Sequence, residues 1–222
     1  LAWSALANDP ARPLINRAIQ GQYLPGSAFK VVSMGAVMER GGVPPTQTYY
    51  CPGVWDKLGW PMTCWLKSGH GTIELVHALT ASCNVTFYQV GYDLHMMDRD
   101  ALSNYARAFG LGAPTGIGQI PDGDWDPLAE ASGLIPDDTW KRQTYGDGWA
   151  TGDTVNMAIG QGFLLATPLQ MVRLIAAVGN VGTLYRPQIV YKVAGTGEQP
   201  ELTFDPDPVG RLPVTPETLA AI

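Results

Sequence analysis

Apolar residues run almost without a break from Phe29 to Met38, after the turn signal Pro25-Gly26 and before the pair Gly41-Gly42, and the pattern predicts a helix there. Helical spacing returns at Thr72 to Ala81, Val85 to Leu94 and Arg99 to Phe109. The first of these is short enough to depend on tertiary support. Thr167-Pro168 opens a further helix running to about Gly179, with Leu169, Val172, Ile175, Ala176 and Val178 on its apolar side. Elsewhere the helical period is missing. Leu1 to Ala7 reads as a strand and Asn8 to Leu24 as a loop. Val43 to Gly71 is rich in Pro, Gly, Trp and Tyr, and within it Tyr49-Tyr50-Cys51 and Met62-Thr63-Cys64-Trp65 are expected to form a short hairpin. Gly110 to Trp149 is a long, irregular, Asp-rich stretch of the kind that commonly makes a lid or rim. Thr183 to Val193 reads as an extended hairpin arm, and no internal repeat or low-complexity tract is present.

Composition narrows the function classes. A chain of 222 residues has room for one sizeable core or two small lobes, and its 26 glycines and 18 prolines agree with many turns and long ordered loops. The net charge is −6 and the Lys and Arg residues are scattered, which argues against nucleic acid and against a polybasic membrane surface. No apolar run approaches the roughly 18 residues that span a bilayer, and no signal peptide is visible. The chain opens on Leu1 rather than Met and stops at Ile222 within what reads as a helix just begun, so it is expected to be an internal piece of a longer protein.

Candidate chemistry begins at Ser27 and Lys30. Three residues apart at a helix start, they share a face, so the Lys30 amine can reach the Ser27 hydroxyl. Serine is a poor nucleophile until a base removes its proton, and a lysine whose pKa is lowered by burial can be that base. Taken alone, so short and common a pair reads as a helix cap and a solvated surface charge, and the rest of the chain has to carry any other reading. A second feature is Ser82-Cys83-Asn84, between two helical segments. A tight turn there projects Ser82 and Asn84 to one side and Cys83 to the other, offering a hydroxyl to pass a proton and an amide to hold a carbonyl. A third is the segment Ala158 to Gln170, which contains Ile159-Gly160-Gln161-Gly162 and lacks the Gly-Lys-Ser/Thr ending of a phosphate loop.

Other strings join these in a fixed order. Asn16-Arg17-Ala18 precedes Tyr23-Leu24-Pro25-Gly26-Ser27-Ala28-Phe29-Lys30; Gly69-His70-Gly71 and Ser82-Cys83-Asn84 follow. Then come Thr115-Gly116-Ile117, Gly133-Leu134-Ile135-Pro136, Gly152-Asp153-Thr154-Val155-Asn156, Ile159-Gly160-Gln161-Gly162 and Gly182-Thr183-Leu184-Tyr185-Arg186-Pro187. Together they resemble the transpeptidase domain of the penicillin-binding proteins across almost the whole chain, and Gly152 to Gln170 looks most like the class B, elongation-type members. The resemblance implies an α/β (α+β) fold of the serine β-lactamase and penicillin-binding type. An antiparallel sheet, incomplete here, is packed by helices, with a mostly helical lobe over roughly residues 70–165.

The resemblance also implies acyl transfer. Ser27 attacks the D-Ala-D-Ala carbonyl of a peptidoglycan stem peptide, Lys30 takes the serine proton, Ser82 relays it to the leaving amine and Asn84 holds the substrate amide. A neighbouring stem peptide then resolves the acyl-enzyme into a cross-link, and β-lactams leave a slowly hydrolysed acyl-Ser27. Asp147, Trp149, Thr151 and Gly152, with Asp153, belong to the loop that by resemblance lines the cleft; the alternative is that they staple the loop. Implied partners are stem peptides, β-lactams and a membrane glycosyltransferase, with no nucleic acid. The implied location is the extracytoplasmic face of the bacterial plasma membrane, with an N-terminal anchor outside this sequence. A serine β-lactamase and a non-catalytic β-lactam sensor or scaffold are the rival readings. One departure stands out: the family's Lys-Thr/Ser-Gly strand should follow Gly182 to Pro187, and no such triplet occurs there. Lys67-Ser68-Gly69 spells it in the wrong order, so the chain by itself is expected to be catalytically incomplete and to leave a sheet edge unpaired.

No cofactor is implied for catalysis, but the cysteines raise a structural one. Cys51, twelve residues, Cys64, five residues, His70, twelve residues and Cys83 supply three thiols and an imidazole, a set that suits a closed tetrahedral zinc site. Some elongation-type penicillin-binding proteins resemble this, with ligands at similar spacing beside the active site. A Cys51–Cys64 disulfide with Cys83 free, or three free thiols, are the alternatives. His77 and His95 lie in helical patterns and read as surface or core residues. Trp55, Trp60, Trp65 and Trp140 read as packing residues or as a substrate-facing surface. The pairs Asp122/Asp124 and Asp137/Asp138 read as solvated loop charges and helix caps.

Overall fold

A computed structural model describes residues 2–118, 128–194, 200–203 and 205–222 of the chain. The Asp122/Asp124 pair lies outside the described residues. The first element is a helix, α1 (Ala2–Ala7), not a strand. Its Ala-rich composition favours helix, and this outweighs the alternation read as extended chain. After a single 3₁₀ turn at Gly26–Phe29 comes α2 (Lys30–Gly41), ended by Gly42 in the left-handed conformation, whose N–H returns to Val37 O. Val32, Ser33, Met34, Ala36 and Val37 are fully buried, so α2 is covered all round and forms the centre of the molecule.

The following segment is a hairpin within a hairpin. β1 (Thr48–Cys51) pairs antiparallel with β4 (Gly71–Glu74), in register from Thr48↔Glu74 to Cys51↔Gly71. Between them β2 (Val54–Trp55) pairs with β3 (Met62–Thr63). The expected pairing of Tyr49-Tyr50-Cys51 with Met62 to Trp65 is therefore corrected. Gly53 and Gly69 explain the outcome: a Cβ on Gly53 would lie 2.2 Å from Lys67 O, and one on Gly69 would lie 2.2 Å from Cys51 O. Only two glycines let the backbones approach this closely and bring the far strand alongside β1. Thr72 consequently belongs to β4, and the helix expected from Thr72 starts later, as α3 (Leu75–Thr80).

Helices α4 (Asn84–Met97) and α5 (Ala101–Ala108) lie where the apolar period put them, and both pack on α2. The region read as irregular holds an unforeseen helix, α6 (Asp138–Tyr145), whose Asp137 cap accepts the Trp140 N–H at 2.8 Å. Then come α7 (Thr151–Met157) and α8 (Pro168–Gly179), the latter with a Thr167/Gln170 capping box. The buried side of α8 is Gln170, Leu174 and Ala177. The expected apolar side is turned outward in part, with Val172 and Ile175 exposed. Gln170 decides the matter, because its amide donates to Ala113 O and Ser132 O at 2.7 and 2.8 Å and so must face inward.

The arm after α8 carries β5 (Thr183–Tyr185) and β6 (Lys192–Ala194), paired antiparallel with β8 (Pro208–Arg211) and β7 (Pro200–Thr203) respectively. A last helix, α9 (Pro216–Ala221), returns to α2 through Glu39, which accepts bonds from Thr215 N and Oγ1 at 2.7 and 2.8 Å. Among the described residues the sheets are small and antiparallel, and no helix is long and apolar enough to cross a membrane.

Candidate active site

The Ser27 loop is clamped from one side by the segment after α7. Tyr23 and Ala166 exchange backbone bonds at 2.9 Å, and Gly26 N donates to Gly160 O at 3.0 Å. Gly160 lies so close that a Cβ there would stand 2.0 Å from Gly26 O. Gly91 of α4 serves the same region, since its Cβ would meet that of Ala158 at 2.7 Å. Ser33 of α2 donates to Ala158 O at 2.8 Å and ties the clamp to the central helix. Sequence reasoning missed Ser33 and Gly91; a lone glycine in an otherwise helical stretch was the one available signal for the second.

Lys30 is fully buried, which rules out a solvated surface charge. Its ammonium donates to Ser82 O at 2.9 Å, Ser82 Oγ at 3.0 Å and Asn84 Oδ1 at 2.7 Å. Ser82 Oγ in turn donates to Ser27 Oγ at 2.9 Å. The contact foreseen between Lys30 and Ser27 thus takes the form of a chain of hydrogen bonds through Ser82. Burial brings the Lys30 pKa down to about 8, so the neutral amine is accessible near neutral pH. Ser82 holds φ at +51°, a left-handed conformation uncommon for a residue with a Cβ. That twist sends Ser82 and Asn84 toward Lys30 while Cys83 turns into the interior. The indole N–H of Trp65 braces the turn, donating to Ala81 O and Ser82 O at 3.1 and 3.2 Å. Its sequence gave no sign of that role.

On the other side of the same turn, Cys51, Cys64, His70 and Cys83 bring their ligand atoms within 4.8 Å of one another. They come from the end of β1, the residue after β3, the turn before β4 and the residue before α4. All three cysteines are buried and free, with no Cys51–Cys64 bond formed. His70 Nδ1 faces Cys51 Sγ at 3.6 Å and Cys64 Sγ at 3.7 Å. Burial acts to raise the Cys64 pKa, but the N–H groups of Leu66, Asn84 and Val85 outweigh it and hold the thiol below its ordinary value.

Of the residues read as lining the cleft, Trp149 and Asp153 are held by internal bonds. Trp149 is buried, with its indole N–H on Thr154 Oγ1 at 2.8 Å and its backbone N–H on Asp138 Oδ1 at 2.8 Å. Asp153 accepts from Lys141 Nζ at 2.6 Å and from Ala150 N at 2.8 Å. Thr151 and Gly152 open α7, half-buried, and Asp147 is exposed after α6. Among the described residues none of these five is hydrogen-bonded to Ser27, Lys30, Ser82 or Asn84. Trp55 belongs to the core and donates to Gln89 Oε1, while Trp60 and Trp65 are exposed. His77 lies on the surface beside Glu74, and His95 bonds Thr154 Oγ1 at 2.9 Å; neither joins the thiol cluster. Lys67-Ser68-Gly69 sits in the turn before His70, outside any strand.

Comparison with known proteins agrees with this arrangement. The profile of the penicillin binding protein transpeptidase domain matches residues 3–222. The peptidoglycan D,D-transpeptidase MrdA of Escherichia coli strain K12 is 36% identical over 213 residues, covering 95% of this chain and 32% of the relative. The chain thus spans about a third of the length of that curated relative. Among solved structures, penicillin-binding protein A of M. tuberculosis as its penicillin G acyl-enzyme complex has a TM-score of 0.79 at 28% identity, over 99% of this chain and 46% of that one. A peptidoglycan synthase complex, solved for the coordination of polymerization and crosslinking, has a TM-score of 0.78 at 32% identity, over 99% of this chain and 35% of that one. With the serine, lysine and Ser82-Cys83-Asn84 turn assembled as they are, the chain belongs to the penicillin-binding protein transpeptidase domain family.

Proposed function

We propose that this chain carries the acylating centre of a peptidoglycan D,D-transpeptidase of the class B, elongation type. The supporting observation is the buried Lys30, bonded to Ser82 and Asn84, with Ser82 bonded on to Ser27. In the neutral form Lys30 accepts the Ser27 proton across the Ser82 hydroxyl that stands between them. Ser27 Oγ then bonds to the penultimate D-Ala carbonyl carbon, the peptide C–N bond breaks, and Ser82 passes the proton to the departing D-Ala amine. In the second half-reaction the amine of a neighbouring stem peptide attacks the acyl-Ser27 ester and yields its proton to the same pair. Ser27 Oγ leaves and is reprotonated. Asn84, fixed by Lys30, is positioned to hold the substrate amide. Asp147, Trp149, Thr151 and Gly152 act in this reading by shaping the loop beside the cleft. The helical lobe of roughly residues 70–165 forms one wall.

Cys51, Cys64, His70 and Cys83 fit a structural zinc ion. In a tetrahedral site with ordinary Zn–S and Zn–N bonds, sulfur and nitrogen stand about 3.6 Å apart, which is the spacing His70 Nδ1 keeps from two of the thiols. Bound there, zinc would supply cross-linking of the Gly69-His70-Gly71 turn to the Ser82 turn, and no chemistry of its own. In this reading the full-length protein works at the extracytoplasmic face of the plasma membrane beside a membrane glycosyltransferase; its likeness to a structure described as coordinating polymerization and crosslinking in a peptidoglycan synthase complex supports such a pairing.

Intact-mass spectrometry after incubation with benzylpenicillin tests this reading. A lasting adduct on Ser27 of the full-length protein, absent from Ser27→Ala, is the expected outcome. An adduct that clears within seconds would point to a β-lactamase. A folded protein with no adduct would remove the acyltransferase assignment.

A further inference from the structure

Three aromatic rings stand together beside the Ser27 loop. Trp140 lies 5.7 Å from Tyr145 and 5.2 Å from Phe163, and Tyr145 lies 5.3 Å from Phe163, centroid to centroid, so each ring touches the other two. Tyr145 is 59% exposed, enough to leave much of its ring open to a ligand. No residue of α6 is buried, so Trp140 and Tyr145 do not fill the core. The position of the trio is fixed on rigid elements. Lys141–Asp153, at 2.6 Å, and Asp138 to Trp149 N, at 2.8 Å, fasten α6 to the start of α7. Phe163 follows Gly160, which is hydrogen-bonded to the residue before Ser27, by a stretch of chain that covers at most about 11 Å when extended.

We propose that Trp140, Tyr145 and Phe163 form a platform for the sugar chain of the substrate, a use that rests on the acyltransferase reading. The carbonyl attacked by Ser27 belongs to the fourth residue of a stem peptide whose other end is joined to a sugar. Four extended residues span roughly 14 Å, enough to bridge the at most about 11 Å of chain between Gly160 and Phe163. A pyranose presents a face of C–H groups that packs on aromatic rings, while its hydroxyl and acetamido groups stay at the edge. The exposed Gln143 and Thr144 lie on α6 between Trp140 and Tyr145, and the exposed Asp147 follows it, so polar side chains are available for that edge. The charge pattern points away from an anionic ligand: Lys141 and Arg142, the two cations of α6, are already paired with Asp153 and Asp138. A neutral saccharide needs neither.

The test is equilibrium binding of peptide-free glycan strands (alternating N-acetylglucosamine and N-acetylmuramic acid, with the lactyl carboxyl capped as its amide to keep the strand neutral) to the full-length protein, followed by tryptophan fluorescence or NMR. Tyr145→Ala is expected to weaken binding roughly fivefold, Phe163→Ala by a similar factor, and Tyr145→Phe by less than twofold, since stacking and not the hydroxyl carries the contact. A Tm within about 2 °C of the parent shows that each variant has kept its fold. Parent protein that ignores the strands, Tyr145→Ala that binds them as tightly as the parent, or Tyr145→Phe that loses as much as Tyr145→Ala would each overturn the platform. Benzylpenicillin labelling of the same parent sample separates the two readings. Labelling without strand binding removes the platform alone, and strand binding without labelling removes the acyltransferase alone.

Discussion

The Ser82-Cys83-Asn84 turn lies between two polar clusters that meet their hydrogen-bonding needs differently. Toward Ser27, the Lys30 ammonium has an acceptor for each of its three N–H groups, all from the turn itself. Toward the interior, three buried thiols and an imidazole converge within 4.8 Å with no disulfide among them. Thiols can share their protons with one another and with the imidazole, or give them up when a cation binds. The first cluster is complete as protein, and the second, where His70 faces two thiols and Thr86 bonds the third, is the one at which zinc is proposed. Because one turn carries both, the thiol cluster and the Lys30–Ser82–Ser27 hydrogen-bond chain share a backbone, and each offers a way to probe the other.

Removing the amine gives the largest expected effect. Lys30→Met should slow acylation by benzylpenicillin by about 10²- to 10⁴-fold, measured by stopped-flow or timed mass spectrometry, while zinc content stays the same. In the parent, the acylation rate should rise with pH as Lys30 loses its proton and level off above about pH 8. Stability should show a linked effect. The folded-state pKa lies below the 10.5 of an ordinary lysine, so between about pH 8 and 10.5 the unfolded chain holds the extra proton. Stability therefore gains a contribution as pH rises through that window, and denaturant titrations of Lys30→Met should lack it.

Next in size is Gly160→Ala, which forces a Cβ against Gly26 O at a residue with φ of +72°. A loss of about 2–3 kcal/mol in chemical denaturation is expected, with slower acylation. Acylation at the parental rate would show that the clamp does not position Ser27. Chelation should follow: stripping the metal lowers Tm by several degrees and slows acylation by less than Lys30→Met does, with zinc counted by elemental analysis. A protein that holds no zinc as purified and is indifferent to added zinc would leave the second cluster as three packed thiols. The smallest effect is expected for Trp65→Phe, which keeps the ring and removes the N–H bonds to the turn. About 1 kcal/mol of stability and a few-fold in acylation rate should be lost.

Helices α2, α4, α5 and α8 were legible as apolar periods, and the partners Ser27, Lys30, Ser82 and Asn84 as motifs. The misreadings have local causes. α6 has only Trp140, half-buried, and Tyr145, exposed, among otherwise polar residues, and so leaves no apolar stripe to detect. α1 is a six-residue Ala-rich segment, too short for its period to separate helix from strand. The outward face of α8 misled because one inward glutamine settles the rotation. β1 found β4 rather than its nearer neighbour because Gly53 and Gly69 permit a contact that no pairing pattern encodes. Within the site, the sequence placed Lys30 against Ser27; the intervening Ser82 hydroxyl depends on the left-handed backbone at that residue, which a serine does not advertise.

The contact between Gly26 and Gly160 joins segments separated by more than half of the chain. Contacts of such long range carry a high loop-closure cost and tend to form late in folding. The nucleophile's loop would therefore stay unsupported on a partly made or partly folded chain, even with α2 already in place. Covalent labelling by a β-lactam would then act as a clock for the end of folding, marking the moment at which the distant glycine docks.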